Sequence, residues 1–149
     1  MQSNKNITLF SQKHINFAST IYTEVFNSKP WNETWTIKSA TKRLTYLHTL
    51  KNSFGLCYVD NKKCIGFLIG HSEPYLNNTQ FIINELCVSS SFQKKGIATL
   101  LLQYLENHLK ENKIKYMMLT TKKTTILNNF YKKNGFKNLD NIQIFIKEI

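Results

Sequence analysis

Between an apolar stretch ending at Val88 and a helical apolar pattern that begins at Ile97 lies Gln93-Lys94-Lys95-Gly96-Ile97-Ala98. A turn from strand to helix leaves the first helical amides without partners, and the helix dipole adds positive potential at the same place. The two together make a natural anion site. Gly96 lets the backbone approach a ligand closely and Ala98 is too small to obstruct it, while Lys94 and Lys95 add charge suited to a diphosphate or a 3′-phosphate. A plain capped loop with solvated lysines is the competing reading of the same pattern. The segment is not a GxxxxGK[ST] loop, and it lacks the first two glycines of a dinucleotide fingerprint. A second stretch, Pro30-Trp31-Asn32-Glu33-Thr34-Trp35, sets a carboxylate between two indoles. That combination suits a cationic amine, although one or both tryptophans could instead seal the first helices against a sheet.

These groups must be positioned by regular elements. A short strand over Ile7–Phe10 precedes an amphipathic helix over residues 14–26, which Pro30 separates from a second helix over Thr36–Leu50. From Phe54 the period changes to that of strands: Phe54–Val59 and Ile65–His71 are joined by the hairpin signal Asp60-Asn61-Lys62-Lys63. A loop over Glu73–Asn78 is expected to lead into a long strand over Gln80–Val88. Ile97, Leu100, Leu101, Tyr104, Leu105 and Leu109 mark a strongly amphipathic helix, followed by a strand at Lys115–Thr120. A helix over Thr124–Lys133 ends at Asn134-Gly135, a left-handed cap signal, and Ile142–Ile146 is expected to supply a final strand. Strand, helix and strand from residue 80 to 120 form a crossover, which implies two parallel neighbours in a mixed sheet with helices on both faces.

The bulk properties set limits on function. The 149 residues, 42% hydrophobic and 13% aromatic, suit one globular domain over 1–149. The polar start, Met1–Phe10, reads as neither a signal peptide nor a membrane span, so a soluble cytoplasmic protein with no membrane partner is the expectation. Cys57, Cys64 and Cys87 form no CxxC pair and read as buried free thiols, with no metal site. The formal charge of +11 admits an anionic partner. However, Arg43 is the only arginine, and arginine is the side chain that reads base edges, so no specific nucleic-acid partner is expected.

Two segments together carry a family resemblance. Glu85-Leu86-Cys87-Val88 followed by Gln93-Lys94-Lys95-Gly96-Ile97-Ala98-Thr99 resembles the Q/R-x-x-G-x-G/A signature of the GNAT N-acetyltransferases, and Phe130-Tyr131-Lys132-Lys133-Asn134-Gly135-Phe136 resembles their second block. The resemblance covers essentially the whole chain. It implies a single-domain α/β fold whose mostly antiparallel sheet contains one parallel β-α-β crossover. It also implies acetyl-coenzyme A as the acyl donor and a primary amine of a small molecule (polyamine- or aminoglycoside-like) or a peptide as acceptor. A coenzyme-binding sensor of the same fold without turnover is the alternative, and the family's frequent dimers admit a homodimer.

Carried over residue by residue, Leu86, Cys87 and Val88 would hold the pantetheine arm, and Gln93, Lys94, Lys95, Gly96, Ile97, Ala98 and Thr99 the pyrophosphate. Tyr131 stands where the family places its general acid, with a packing role as the alternative. Glu85 is the leading general base, with Glu73 or no dedicated base as alternatives. Thr124 replaces the asparagine that usually contacts the coenzyme, and Asn129 lies closer to Tyr131. Trp31, Glu33, Trp35, Glu73 and Tyr75 would line the acceptor side.

Overall fold

In the computed structural model, which describes residues 5–149, the period-two apolar runs become a five-stranded sheet in the order β1-β2-β3-β4-β5. The strands are β1 (Ile7–Leu9), β2 (Ser53–Asp60), β3 (Lys63–Tyr75), β4 (Asn78–Val88) and β5 (Tyr116–Met118). All neighbours are antiparallel except β4 and β5, which are parallel, as the crossover requires. The reading of the polar start extends over Met1–Asn4, which lie outside the described residues. Among the described residues, no helix is long and apolar enough to cross a membrane.

The helices α1 (Ile15–Phe26) and α2 (Ile37–Thr49) cover one face of the sheet. Ala18, Ile21, Tyr22 and Phe26 of α1, and Ala40, Leu44 and Leu47 of α2, pack there with Cys57, Phe67 and Ile69. Ala18 and Ala40 are fully buried at positions where larger side chains would hold these packed elements apart. Helix α3 (Ile97–Glu111) covers the other face, where Ile97, Leu101, Leu102, Leu105 and Leu109 pack with Leu56, Leu68 and Phe81. Helix α4 (Thr125–Lys133) follows β5, and its Phe130 joins the α3 side. The oxygen of Thr124 caps α4 by accepting from Leu127 N at 3.2 Å. At the other end Gly135, at φ 84°, donates to the Lys132 carbonyl while Phe136 N donates to that of Tyr131. That bond pair is the Schellman closure expected of Asn134-Gly135.

Four sequence expectations need correction. The β2–β3 turn is the two residues Asn61 and Lys62, both at positive φ, so the expected hairpin forms, but the register shift between Tyr58 and Val59 also brings Cys57 and Cys64 together diagonally on adjacent strands. Their Cα atoms are 6.0 Å apart and the sulfurs are joined in a disulfide, so only Cys87 remains a free thiol. The loop expected over Glu73–Asn78 shrinks to a tight turn at Leu76 and Asn77, because the ladder continues through Glu73↔Gln80 and Tyr75↔Asn78. The strand expected over Lys115–Thr120 is confined to Tyr116–Met118. The final strand at Ile142–Ile146 does not form; these residues are exposed and pair with no neighbour. Alternation encodes a willingness to form a strand, but main-chain pairing still needs an adjacent edge in register.

One close backbone contact gives a stability prediction. A Cβ at Gly70 would overlap the Ile82 carbonyl oxygen and lie within 2.6 Å of the Phe81 ring. Gly70→Ala is therefore expected to destabilise the fold by about 3 kcal/mol, since backbone on a central strand cannot yield as a flexible side chain can. A urea midpoint matching that of the unaltered protein would contradict this packing.

Candidate active site in the opening between two parallel strands

Strands β4 and β5 pair only over Gln80↔Tyr116, Phe81↔Met117 and Ile82↔Met118. Beyond that point they part, and a cleft of about 300 Å³ lies between Ile83–Leu86 on one side and Leu119–Thr121 on the other. Just where the opening starts, β4 carries a bulge. Ile69 pairs with Glu85 but Gly70 pairs with Ile83, so Asn84 is an extra residue on β4. An inserted residue reverses the side-chain alternation that follows it. Phe81 and Ile83 accordingly pack on the α3 side, whereas Glu85 meets α2 and Cys87 packs with α1 and α2. The bulge is therefore what brings a carboxylate to the cleft on the side of the first two helices.

The main chain after the bulge is also divided. Ser89 N donates to the Ile65 carbonyl on β3, so strand alternation turns the N–H and C=O of Val88 and Leu86 toward the open side. Gln93 Nε2 reaches the Val88 carbonyl at 3.0 Å, which bears this direction out. Cys87 faces β3 with its main chain, and its thiol is buried in the core, where desolvation raises its pKa well above the usual range. A protonated, enclosed thiol is a poor nucleophile.

The loop that follows has the form expected of an anion site. Gly96 is the N-cap of α3 at φ 82° and ψ 0°, and no side chain caps the helix. A Cβ built on Gly96 would meet nothing within 4 Å, so the space beside the N-cap is open, and no side chain occupies the first-turn amides of Ile97, Ala98 and Thr99. Lys94, at φ 61°, is exposed beside it. Two side chains of the loop have structural partners: Gln93 closes the turn onto Val88, and the Lys95 ammonium lies 4.7 Å from the centre of the Phe92 ring. The main chain, rather than those side chains, is what the loop presents.

Two proton-bearing groups face the cleft. Tyr131, on α4, is half-buried against Phe130 and Phe136, with ring centres 5.0 and 5.5 Å away. Burial pushes its pKa up to about 12, so the phenol keeps its proton at neutral pH. Glu85 is 8% exposed, and its Oε1 accepts from Arg43 Nε at 3.0 Å. Burial lifts the Glu85 pKa, while the charge of Arg43, its hydrogen bond and a bond from Tyr22 all work against that rise. Tyr22 is itself held protonated by burial and by the nearby carboxylate.

The acceptor side is formed by the segment that joins α1 to α2. Asn27 clamps Trp35 through two main-chain bonds of 2.7 and 2.8 Å, and Trp35 Nε1 donates to Glu33 Oε2 at 2.5 Å. Tyr22, Phe26, Trp31 and Trp35 make the wall, with ring centres 4.4 Å apart for Tyr22–Phe26, 5.0 Å for Tyr22–Trp35 and 5.1 Å for Phe26–Trp31. The tryptophans thus do both things that the sequence left open: they pack against the first helix and they line the cleft. Lys122, after β5, ties the segment down by donating to the carbonyls of Pro30 and Trp31.

Other sequence-derived residues lie elsewhere. Glu73 and Tyr75 sit toward the far end of the β3–β4 hairpin and do not line the cleft; Tyr75 is exposed, and Glu73 accepts from Gln80 Nε2 at 2.7 Å. They were expected in a loop near the acceptor, and the continued ladder carries them away from it. Glu73 connects to the cleft only indirectly, through His71 Nε2 at 3.8 Å and the 2.8 Å contact of His71 Nδ1 with Asn84 Oδ1. The Thr124 oxygen is committed to capping α4, and Asn129 is exposed on that helix outside the cleft lining. Sequence reading missed Tyr22, Arg43 and Asn84. Tyr22 was legible only as a core position of the first helix, and Arg43 only as an isolated arginine. Among the described residues, no cluster of three His, Cys, Asp or Glu side chains could hold a metal ion.

Comparison with known proteins bears on the family and the fold. The sequence model described as "Acetyltransferase (GNAT) family" matches residues 18–136. No curated protein matches the chain in sequence. Among solved structures, a possible acetyltransferase from Clostridium difficile 630 superposes with a TM-score of 0.82 at 16% identity, covering 96% of this chain and 97% of that one. AAC(6')-Iy in complex with the bisubstrate analogue CoA-S-monomethyl-acetylneamine gives 0.73 at 14% identity, covering 96% and 97%. Ribosomal-protein-alanine N-acetyltransferase from Brucella melitensis biovar Abortus 2308 gives 0.73 at 14% identity, covering 95% and 97%. At such identities the likeness is one of fold.

Proposed function

The chain belongs to the GNAT acetyltransferase family, and on that premise we propose that it transfers an acetyl group from acetyl-coenzyme A to a primary amine of a small molecule or peptide. The observation that carries this reading is the coincidence of three features at one opening. These are the parted strands β4 and β5, the uncapped start of α3, and a cleft lined by both Glu85 and Tyr131.

The residues present fit the coenzyme. The outward main-chain groups of Leu86 and Val88 can pair with its amide-bearing arm, and the amides of Ile97, Ala98 and Thr99 can receive its diphosphate beside Lys94. When bound, the coenzyme supplies an activated acetyl thioester. Val88 N–H is a fixed donor on the open side, suited to a carbonyl oxygen that gains negative charge during transfer. The buried, protonated Cys87 supports direct transfer to the amine rather than passage through an acetylated cysteine.

An alkylamine is mostly protonated at neutral pH, with a pKa near ~10.4, so a proton must leave before it can attack. Glu85 accepts that proton, directly or through water, and its raised pKa brings it closer to the amine's. Arg43 holds the carboxylate in place. Because the base must be ionised, kcat/KM should fall as the pH drops through a pKa above the usual carboxylate range. Glu85→Gln should lower kcat about 100-fold and remove that acidic limb. An unchanged pH profile in a folded variant would reassign the base.

The overall reading is tested by mixing the purified protein with acetyl-coenzyme A and a panel of amines. Thiol release that depends on the amine is expected. Coenzyme binding with no release across the panel would instead identify a binding module.

A further inference from the structure

The cleft's charges are unequally committed. Two of its lining residues are acidic, Glu33 and Glu85. Glu85 is already matched by Arg43 at 3.0 Å. Glu33 forms no ion pair among the described residues, and Trp35 Nε1 holds its carboxylate in place. Arg43 is the one cation that lines the space; the Lys122 ammonium, outside the lining, is pinned to the Pro30 and Trp31 carbonyls, 5.9 Å from the Trp31 ring centre. Among its lining residues the cleft therefore has one uncompensated negative charge, on the exposed Glu33 beside a wall of aromatic rings, in a chain of net charge +11. Its volume of about 300 Å³ lies at the small end of ligand sites.

From this we infer that the acceptor is a singly charged primary amine with a compact apolar body, of the arylalkylamine kind, and that polycations are disfavoured. The inference rests on the amine-transfer reading above and narrows it. One ammonium group satisfies Glu33 while the body of the acceptor lies against Tyr22, Phe26, Trp31 and Trp35. A second ammonium finds no other free carboxylate in the lining, only the Glu85–Arg43 pair. Attraction between a cation and ring faces adds to the first contact, while a second ammonium would lose water without gaining a partner charge.

Both tryptophans of the chain line this cleft, so intrinsic tryptophan fluorescence reports on it without need of turnover. The test titrates the full chain, with saturating coenzyme A and about 0.15 M salt, using 2-phenylethylamine, spermidine and kanamycin. Phenylethylamine is expected to half-saturate the signal at a concentration about tenfold below either polycation, and Glu33→Gln should weaken it by about tenfold. Equal or tighter binding of a polycation, or no response to phenylethylamine, overturns the inference. Thiol release measured on the same three amines separates the two claims. If the binding order holds but no amine releases thiol, the transfer reading fails and the acceptor class stands. If thiol is released fastest with a polycation, the acceptor class fails and the transfer reading stands.

Discussion

Gly96→Asp is expected to weaken coenzyme A binding at least about 100-fold without unfolding the protein. Gly96 occupies the N-cap of α3 at φ 82°, a left-handed conformation that aspartate tolerates better than most residues. Aspartate is also among the best N-cap residues, and a negative charge at that end suits the helix dipole. Nothing lies within 4 Å of the added Cβ. Helix α3 should therefore still fold, at the cost of some strain at this φ, but with a carboxylate placed beside its free amides where the diphosphate must sit. Loss of binding then reports on the site rather than on the fold. Calorimetry reads it directly, with thermal unfolding as the control. An unchanged affinity would show that the start of α3 is not the phosphate site. Gly96→Ala, which strains the same φ but adds no charge or cap, should cost much less binding than the aspartate.

Tyr131→Phe is expected to lower kcat by about 100-fold or more while leaving coenzyme affinity within about twofold. The substitution removes one hydroxyl and keeps the ring contacts with Phe130 and Phe136, so the end of α4 and its Schellman closure should persist. What disappears is a donor that burial holds protonated, with a pKa near 12. A thiol titrates near ~8.5, so a phenol this weakly acidic serves the departing sulfur chiefly by hydrogen bonding to it as charge develops, and regains nothing by giving up its proton outright. The unaltered protein should accordingly show no loss of rate from Tyr131 ionisation at ordinary alkaline pH. A phenylalanine variant with full rate at every pH would make Tyr131 a packing residue.

The two substitutions probe parts of the site that differ in how they could be read. The α3 loop is local: strand, turn, glycine and helix follow one another within a few residues, and the same contiguity made the Asn134-Gly135 cap legible. The acceptor segment was legible in part, since Trp31, Glu33 and Trp35 are close in sequence, but their dual role was not. Whether an indole lines a cleft or seals a core depends on where α1 and the β5–α4 connection end up, and Asn27 and Lys122 decide that. Glu85 lay between these cases. Its position on a strand was evident, yet simple alternation from Phe81 would have sent it to the α3 side.

By itself, the sequence determined the order of elements as far as α4, the parallel crossover, the uncapped helix start with its glycine, and the tyrosine of the last helix, because each depends on residues near one another along the chain. Only the tertiary structure decided the bulge at Asn84 that turns Glu85 to the acceptor side, its pairing with Arg43 across 42 positions of sequence, the Cys57–Cys64 bond, and the displacement of Glu73 and Tyr75 to the far end of a hairpin. The physical reason is common to all four. Ladder register and the meeting of distant side chains are set by how whole elements pack, and a shift of one residue in a strand, invisible in composition or period, exchanges one face of the sheet for the other.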